Sequence, residues 1–526
     1  MMLKKIFYIF KFIQHNKKVF KKKIPNTKNI ILIENYNYKP SIIPFSYFSN
    51  ILADIHNAKL ISYNTNFFNW KTHIKNFLQI PFFNHYNIFK SFNVIDKLIP
   101  IKNNNSKLIN KLYSQNLKKI KNKKDILKIK FLNIKIGDLI YDEYLRKYNL
   151  PTIDPDSDGF KKYFYSFIEL FVFWYTYFES NNVKAVMVSH TVYAIGIVPR
   201  IANFRGIRAY NVSANYAYSL SKKNYLRLSG FEDFKSNFLK IKKLLKKDLI
   251  QISKNSLNRK ILGKDTAVHK IESNIPTAVF GKENFYSKKI KTKGKILVAT
   301  HCFTDAVHAY GNALFADYYE WMNYLGELSN KMDYEWLIKI HPTQYDRNKL
   351  QINKFIKKYK KFTLLDKGVT HNKLIAENRI LCALTVYGSI GHEYPLFGIP
   401  VINASVNNPH KAYKFNYNPS SIKKYEYLIR NANKLKNNFK NQENEIYEYY
   451  YICGGLSEYY LWKNPFNVIR KLGKNYSTSL VYGEWLKQFN SKLHKKRMDD
   501  YTKFIKSNKF RMHADNTNKN SEYLDI

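Results

Sequence analysis

Short runs of consecutive apolar residues alternate along the chain with longer segments whose apolar residues recur every three or four positions. The runs include "NIILIE" (29–34), "KLISY" (59–63), "VKAVMVSH" (183–190) and "IRAYNV" (207–212). They resume as "KILVATH" (295–301), "YEWLIKIHP" (334–342), "FTLLD" (362–366), "ILCALTVYG" (380–388) and "IPVINA" (399–404). A run apolar at every position predicts a strand covered on both faces, and the intervening 3.6-residue periodicity predicts helices. Strand, helix, strand in repeated order predicts parallel sheets. "SIIPFSYFSNILADIHNA", "TVYAIGIVPRIANFRG", "DYYEWMNYLGELSNKM" and "THNKLIAEN" are the crossover helices. "KKYFYSFIELFVFWYTYFES" is apolar almost all round and predicts a buried helix.

The expected fold class is therefore α/β, with two Rossmann-like domains facing a cleft. The boundaries expected are a basic N-terminal segment over 1–28 and a first Rossmann-like domain over 29–230. A helical connection follows over 231–292, then a second Rossmann-like domain over 293–490. The lysine- and asparagine-rich tail over 491–526 reads as disordered. Residues 70–130 are polar, basic and hard to assign.

A length of 526 residues fits two or three domains. The formal charge of +49 first suggests nucleic acid. The lysines, however, are spread along the chain among many Asn, Ile, Tyr and Phe residues, a composition expected of an AT-rich genome. Diffuse positive charge suits an anionic membrane or a polyanionic glycan better. Three distant cysteines, Cys302, Cys382 and Cys453, match no metal pattern and imply a reduced, cytoplasmic setting. No apolar stretch is long enough to span a membrane. The first 23 residues mix apolar residues with lysines and lack a signal-peptide cleavage site, leaving a basic amphipathic helix on a membrane surface or a plain surface helix.

Chemistry is expected where strands end, because ligands of open α/β sheets bind at the carboxyl edge. In "LCALTVYGSIGHEYPLFGIPVIN" (381–403), Gly388 and Gly391 permit close approach, and Ser389 opens a helix whose N–H groups attract anions. Glu393 lies on the first helical turn, placed for ribose hydroxyls or for the helix dipole. "IKIHP" places Lys339, His341 and Pro342 at another strand end, with His341 directed to phosphate. "THCFTDAVHAYGNALF" brings His301, Asp305 and His308 after the first strand of the second domain; Asp305 is a candidate general base, or it orients a histidine. The spacing matches no zinc pattern, and no metal or cofactor is expected. In the first domain, Asp138, Asp142 and His190 form the acceptor-side set, with Asp138 a second candidate base. The plainer reading of both aspartates is a helix N-terminus.

Together, "KxHP" (Lys339-Ile340-His341-Pro342) and "S-x-x-x-E-x-x-x-x-G-x-P-V" (Ser389 to Val401) resemble bacterial capsule and surface-polysaccharide glycosyltransferases of GT-B type. Capsule Kdo transferases belong here and, more distantly, polysialyltransferases and polyol-phosphate transferases. "IGDLIYDEYLR" and "VSH…GI…RIA…GI" are similar to the acceptor side of surface-carbohydrate proteins. The resemblance spans roughly residues 130–465. It implies that His341 and the Ser389 turn bind the donor's phosphate and Glu393 the nucleotide, without an obligatory metal. It departs from the family at Gly388-Ser389, where two adjacent hydroxyl residues are common. The implied partners are a nucleotide-sugar, CMP-Kdo first, and a glycan or glycolipid acceptor, at the inner face of the cell membrane. The alternatives are a CDP-polyol phosphotransferase, a nucleotide-sugar 2-epimerase-like isomerase and a non-catalytic glycan- or nucleic-acid-binding protein.

Overall fold

The computed structural model describes residues 1–67, 85–102, 105–229, 231–241, 243–262, 280, 294–341, 345–435, 442–453 and 465–512. These divide into two compact units. Of the described residues, unit 1 holds those within 1–144, 154–227 and 465–512, and unit 2 those within 145–153 and 228–453.

Unit 1 is built on β1 (Asn29–Glu34), β2 (Lys59–Tyr63) and β3 (Val94–Leu98). A small antiparallel ribbon of β4 (Lys130–Phe131) and β5 (Ile134–Lys135) follows. The set is completed by β6 (Asn182–Val188), β7 (Arg208–Ser213) and β8 (Tyr216–Leu220). The main sheet runs β3-β2-β1-β6-β7-β8, parallel except for β8. Its central strand β1 is buried from Ile30 onward, as an all-apolar run requires. The Lys39–His56 helix starts with Pro40, whose missing N–H costs nothing there, and ends at Asn57 in the left-handed region (φ 44°). The Asp158–Ser180 helix is capped by Ser157, whose hydroxyl accepts the Phe160 N–H, and buries Phe164, Phe167, Phe171 and Trp174.

Unit 2 carries β9 (Lys295–Thr300), β10 (Glu335–Ile340), β11 (Phe362–Leu364), β12 (Ile380–Thr385) and β13 (Val401–Asn403). All are parallel, in the order β11-β10-β9-β12-β13. The expected α/β class with two Rossmann-like parallel sheets is thus the observed one.

The domain boundaries differ from those expected. Residues 465–512 belong to unit 1 instead of the second domain. Over Ser491–Lys506, where a disordered tail was expected, there is a helix capped by Asn490. Leu493, Arg497, Tyr501, Phe504 and Ile505 are buried along one side of it. Tyr501 meets the Phe48 ring edge-on at 5.2 Å. Lysines dominate its composition, but they occupy the other side. The 1–28 segment is likewise no appendage. The Met2–Val19 helix stacks Phe12 on Tyr482 at 4.1 Å, and Ser479 donates to the Lys5 carbonyl. The expected connection becomes two helices, Asp233–Leu239 and Lys243–Ile261, whose Phe238, Leu245 and Leu249 pack with Tyr451 and Ile452 into the core of unit 2. Much of 262–293 lies outside the described residues.

Candidate functional site

At the carboxyl edge of the unit 2 sheet three strand ends converge. β9 lies between β10 and β12, so His301, His341 and the turn after Thr385 emerge side by side. His301 ties them together. Its Nε2 lies 3.0 Å from the Thr385 hydroxyl, 3.3 Å from the Val386 N–H and 3.5 Å from the Tyr387 N–H. A nitrogen facing backbone N–H donors carries no proton of its own. Burial, and secondarily the charge of nearby His341, pushes the His301 pKa down to about 3, consistent with a neutral ring. Asn348 holds the His301 carbonyl at 2.8 Å. His301 is therefore the pin between β9 and the β12 turn, and not a free acid or base.

The rings around this pin form a ladder that the sequence reading missed. Phe231 stacks on Tyr310 at 5.2 Å and Tyr310 on Tyr387 at 3.9 Å. His301 lies against Tyr387 at 4.6 Å and Tyr318 at 5.1 Å. The stacked rings make a planar aromatic face at this edge, a surface suited to a flat apolar ring.

The 386–393 turn does not present its side chains as expected. Gly388 is needed because a Cβ would lie 2.7 Å from the Thr385 hydroxyl. Gly391 is needed because a Cβ would lie 2.2 Å from the His410 ring. Both close approaches are to protein groups. The Ile390–Glu393 turn continues as 3-10 helix to Phe397 and stops at Gly398 in the left-handed region (φ 78°). The Ser389 hydroxyl donates to Glu393 Oε2 at 3.1 Å. Glu393 is buried and ion-paired to Lys260 of the Lys243–Ile261 helix. Burial alone would raise this carboxyl, but Lys260, then His392, bring it down to about 2. It is committed to a buried cation, which departs from the expected ribose contact. Next to it His392 and His410 lie 3.4 Å apart under the Tyr449 ring, and burial pushes His392 down to about 4.

Of the other expected residues in unit 2, His341 is exposed at the end of β10. Pro342 lies outside the described residues. Lys339 does not reach the edge: it is buried, donates to the Val369 carbonyl, and is pushed down to about 8 by burial. Asp305 is exposed on the loop after β9, next to Ala306 in the left-handed region (φ 41°). Buried His308 lies 2.8 Å from the Ala316 carbonyl, a contact within that same loop.

The carboxyl edge of unit 1 has a different chemistry. Asp138 gives both carboxylate oxygens to Arg200, each at 2.5 Å, and Arg200 also holds the Lys135 carbonyl and the face of Tyr225. A bidentate pair of this kind is strong and directional, so Asp138 is a fastener of helix to ribbon and not the expected base. Asp142 is buried, and its charge adds to the field at Arg200. His190 follows Ser189 at the end of β6, half-buried, its ring against Tyr36 at 5.6 Å. Glu34, the last residue of β1, accepts the Ser189 N–H at 2.6 Å. Burial raises its pKa to about 7. The sequence did carry a sign of it: an acid ending an otherwise apolar central strand. Among the described residues no cluster of three His, Cys, Asp or Glu side chains could hold a metal.

No family model matches the sequence, and neither does any curated protein. Among solved structures, the chain is similar to a UDP-GlcNAc 2-epimerase of Methanocaldococcus jannaschii at 12% identity, over 78% of this chain and 94% of that one, with a TM-score of 0.27. A UDP-glucosyltransferase from Polygonum tinctorium matches at 11% identity, over 92% and 99% of the chains, with a TM-score of 0.26. A glycosyltransferase from Rickettsia africae matches at 9%, over 92% and 100%, with a TM-score of 0.25. Superposition at these scores is too loose to transfer any residue's role.

Proposed function

We propose that the chain is a GT-B-type glycosyltransferase of capsule or surface-polysaccharide biosynthesis, transferring a sugar from a nucleotide donor to a glycan or glycolipid hydroxyl. The supporting observation is the convergence of His301, His341 and the 386–389 turn at one sheet edge beside the Tyr310–Tyr387 stack. In this reading His341 receives the leaving phosphate as its charge grows, and the aromatic face takes the base. A CMP-sugar is the favoured donor, on the strength of the "KxHP" and Ser389-to-Val401 motifs. Asp305, exposed on the loop after β9, is the candidate base in this reading. Titration with CMP, CDP, UDP and GDP tests the reading: one nucleotide should bind clearly better than the rest, and a chain that binds none is not this enzyme. Conversion of a UDP-sugar without acceptor would reassign it as an isomerase, and a phosphodiester product as a polyol-phosphate transferase.

The acceptor side of this reading lies at the cytoplasmic face of an anionic membrane. No described helix is long and apolar enough to cross a bilayer. The Met2–Val19 helix turns Phe12 and Asn16 inward and leaves Leu3, Phe7 and Phe10 exposed by 82%, 51% and 56%. Lys4, Lys11, Lys17 and Lys18 are exposed on the same helix, and no acid precedes Glu34. Apolar rings among lysines suit the interface of an anionic bilayer. F7S/F10S should abolish sedimentation with phosphatidylglycerol-containing vesicles; equal binding to pure phosphatidylcholine would remove the electrostatic part.

A further inference from the structure

We propose that Asn418 is a positioning residue for the stacked Tyr310–Tyr387 face of unit 2, acting through a chain of side-chain amides that fixes the loop carrying Tyr310 against the turn that follows Tyr387. The inference rests on the glycosyl-transfer reading only for what that face binds.

The segment is "KFNYNPSS" (414–421). Residues 416–418 run beside β13 and pair with it at Ile402 and Tyr417. The Asn403 N–H donates to the Tyr417 carbonyl at 3.0 Å, and the Tyr417 N–H to the Val401 carbonyl at 2.8 Å. Alternate residues of an extended chain share a face, so Asn416 and Asn418 are neighbours. Asn418 Nδ2 donates to Asn416 Oδ1 at 3.0 Å, and Asn416 Nδ2 donates to the Gly391 carbonyl at 3.1 Å. On its other side Asn418 Oδ1 accepts two amides, Asn403 Nδ2 at 2.8 Å and Asn408 Nδ2 at 2.9 Å. Asn408 Oδ1 accepts the His410 N–H at 2.9 Å.

Each amide has a donor end and an acceptor end, and here they cannot be exchanged. The Gly391 carbonyl only accepts, so Asn416 turns Nδ2 toward it and Oδ1 toward Asn418. Asn418 must then offer Nδ2 to Asn416 and Oδ1 to Asn403 and Asn408. The His410 N–H only donates, which separately turns Asn408 Oδ1 toward it and Asn408 Nδ2 toward Asn418. Two backbone groups at opposite ends therefore dictate the same arrangement. Flipping Asn408, Asn416 or Asn418 would set donor against donor or acceptor against acceptor. Asn403 and Asn408 are fully buried, where an unpaired polar group is costly.

The chain reaches the backbone of both rings. Asn407, next to Asn408, donates Nδ2 to the Tyr310 carbonyl. The Val406 and Asn407 N–H groups donate to the Asn312 carbonyl at 3.0 and 3.1 Å. These bonds moor the Tyr310 loop to 406–408. At the other end, the Gly391 N–H donates to the carbonyl of Gly388, the residue after Tyr387, at 3.0 Å. Asn418 is the node where the Asn403, Asn408 and Asn416 branches meet. Apolar contact is non-directional and leaves stacked rings free to slide. A directional buried network holds the Tyr310 and Tyr387 rings at their 3.9 Å separation.

The test uses the full chain with 3-fluorotyrosine installed at position 387 alone. In wild type its fluorine signal carries the ring-current shift of Tyr310, and the signal in Y310L marks the unstacked position. N418D keeps the shape of the side chain but sets a carboxylate oxygen against Asn416 Oδ1. It should move the signal at least halfway to the Y310L position. N416A, at a half-buried site, cuts the chain at Gly391 and should move the signal the same way. An unmoved signal in folded N418D overturns the positioning role; if N418D does not fold, an unmoved signal in N416A overturns it. A variant that only loses stability leaves the folded-state signal in place. Whichever of CMP, CDP, UDP and GDP wild type binds best should bind N418D about tenfold more weakly, roughly one lost hydrogen bond. Equal affinity with a shifted signal overturns the assignment of this face to the nucleotide. If wild type binds none of the four, the glycosyl-transfer reading fails, and the fluorine signal still decides whether Asn418 positions the rings.

Discussion

The carboxyl edges of the two parallel sheets are built alike and equipped differently. In unit 1 the edge carries acids: Glu34 on the Ser189 turn, Asp138 on Arg200, and Glu143 on the Ala194 N–H. In unit 2 it carries imidazoles, backbone N–H groups and stacked tyrosines, while its turn carboxylate, Glu393, is withdrawn to a buried lysine. One edge is rich in carboxylates held by protein groups, and the other in imidazoles and stacked rings. The difference teaches that a shared topology supplies the place for chemistry, and strand-end residues supply its sign.

The largest expected way to break this contrast is to free Glu393. K260M leaves a buried carboxylate without its cation and should cost ~3–5 kcal/mol in urea unfolding, because an uncompensated buried charge is severely penalised. The double variant K260M/E393L should regain most of that loss; no regain would mean the pair is not what holds the turn.

A second test concerns the acid edge. Glu34 has its folded pKa raised from 4.5 to about 7 by burial. The folded state therefore binds a proton that the unfolded state releases. This contribution is fully present below pH 4.5 and is lost as pH rises through about 7. Linkage puts the loss at roughly 3 kcal/mol as an upper figure. The unfolding free energy of wild type should fall between pH 5 and 8, and E34Q should flatten that slope. An identical slope in both would show that Glu34 ionises freely.

Gly391→Ala sharpens the packing side of the comparison. Its Cβ would sit 2.2 Å from the His410 ring, so a loss of ~1–3 kcal/mol is expected from overpacking, seen as a lower Tm. At the pin, H301A should weaken nucleotide binding by about tenfold, roughly one lost hydrogen bond, with a smaller effect on Tm.

Much of this was legible in the chain. The strands of both parallel sheets that end in polar residues were apolar runs, and their last residues named His190, His301, His341 and Ser389. Three things were hidden for physical reasons. Lys260 and Glu393 are 133 residues apart, and no local pattern announces a long-range ion pair. Glu34 looked like the end of a strand, because only the neighbouring strand's turn shows what its carboxylate holds. The Ser491–Lys506 helix was masked by lysines, although Leu493, Arg497, Tyr501 and Ile505 recur at every fourth position. Lys339 failed the other way: its place in the motif suggested phosphate, but strand alternation puts it on the face of Leu337, beside the Val369 carbonyl.

The central claim is that the unit 2 edge, and not the unit 1 edge, binds the nucleotide. Calorimetric titration of CMP into wild type, H341A and H190A tests it most directly. The account predicts binding to wild type, at least tenfold weaker binding to H341A, and unchanged affinity in H190A. Equal affinity in wild type and H341A, or a loss confined to H190A, would contradict it.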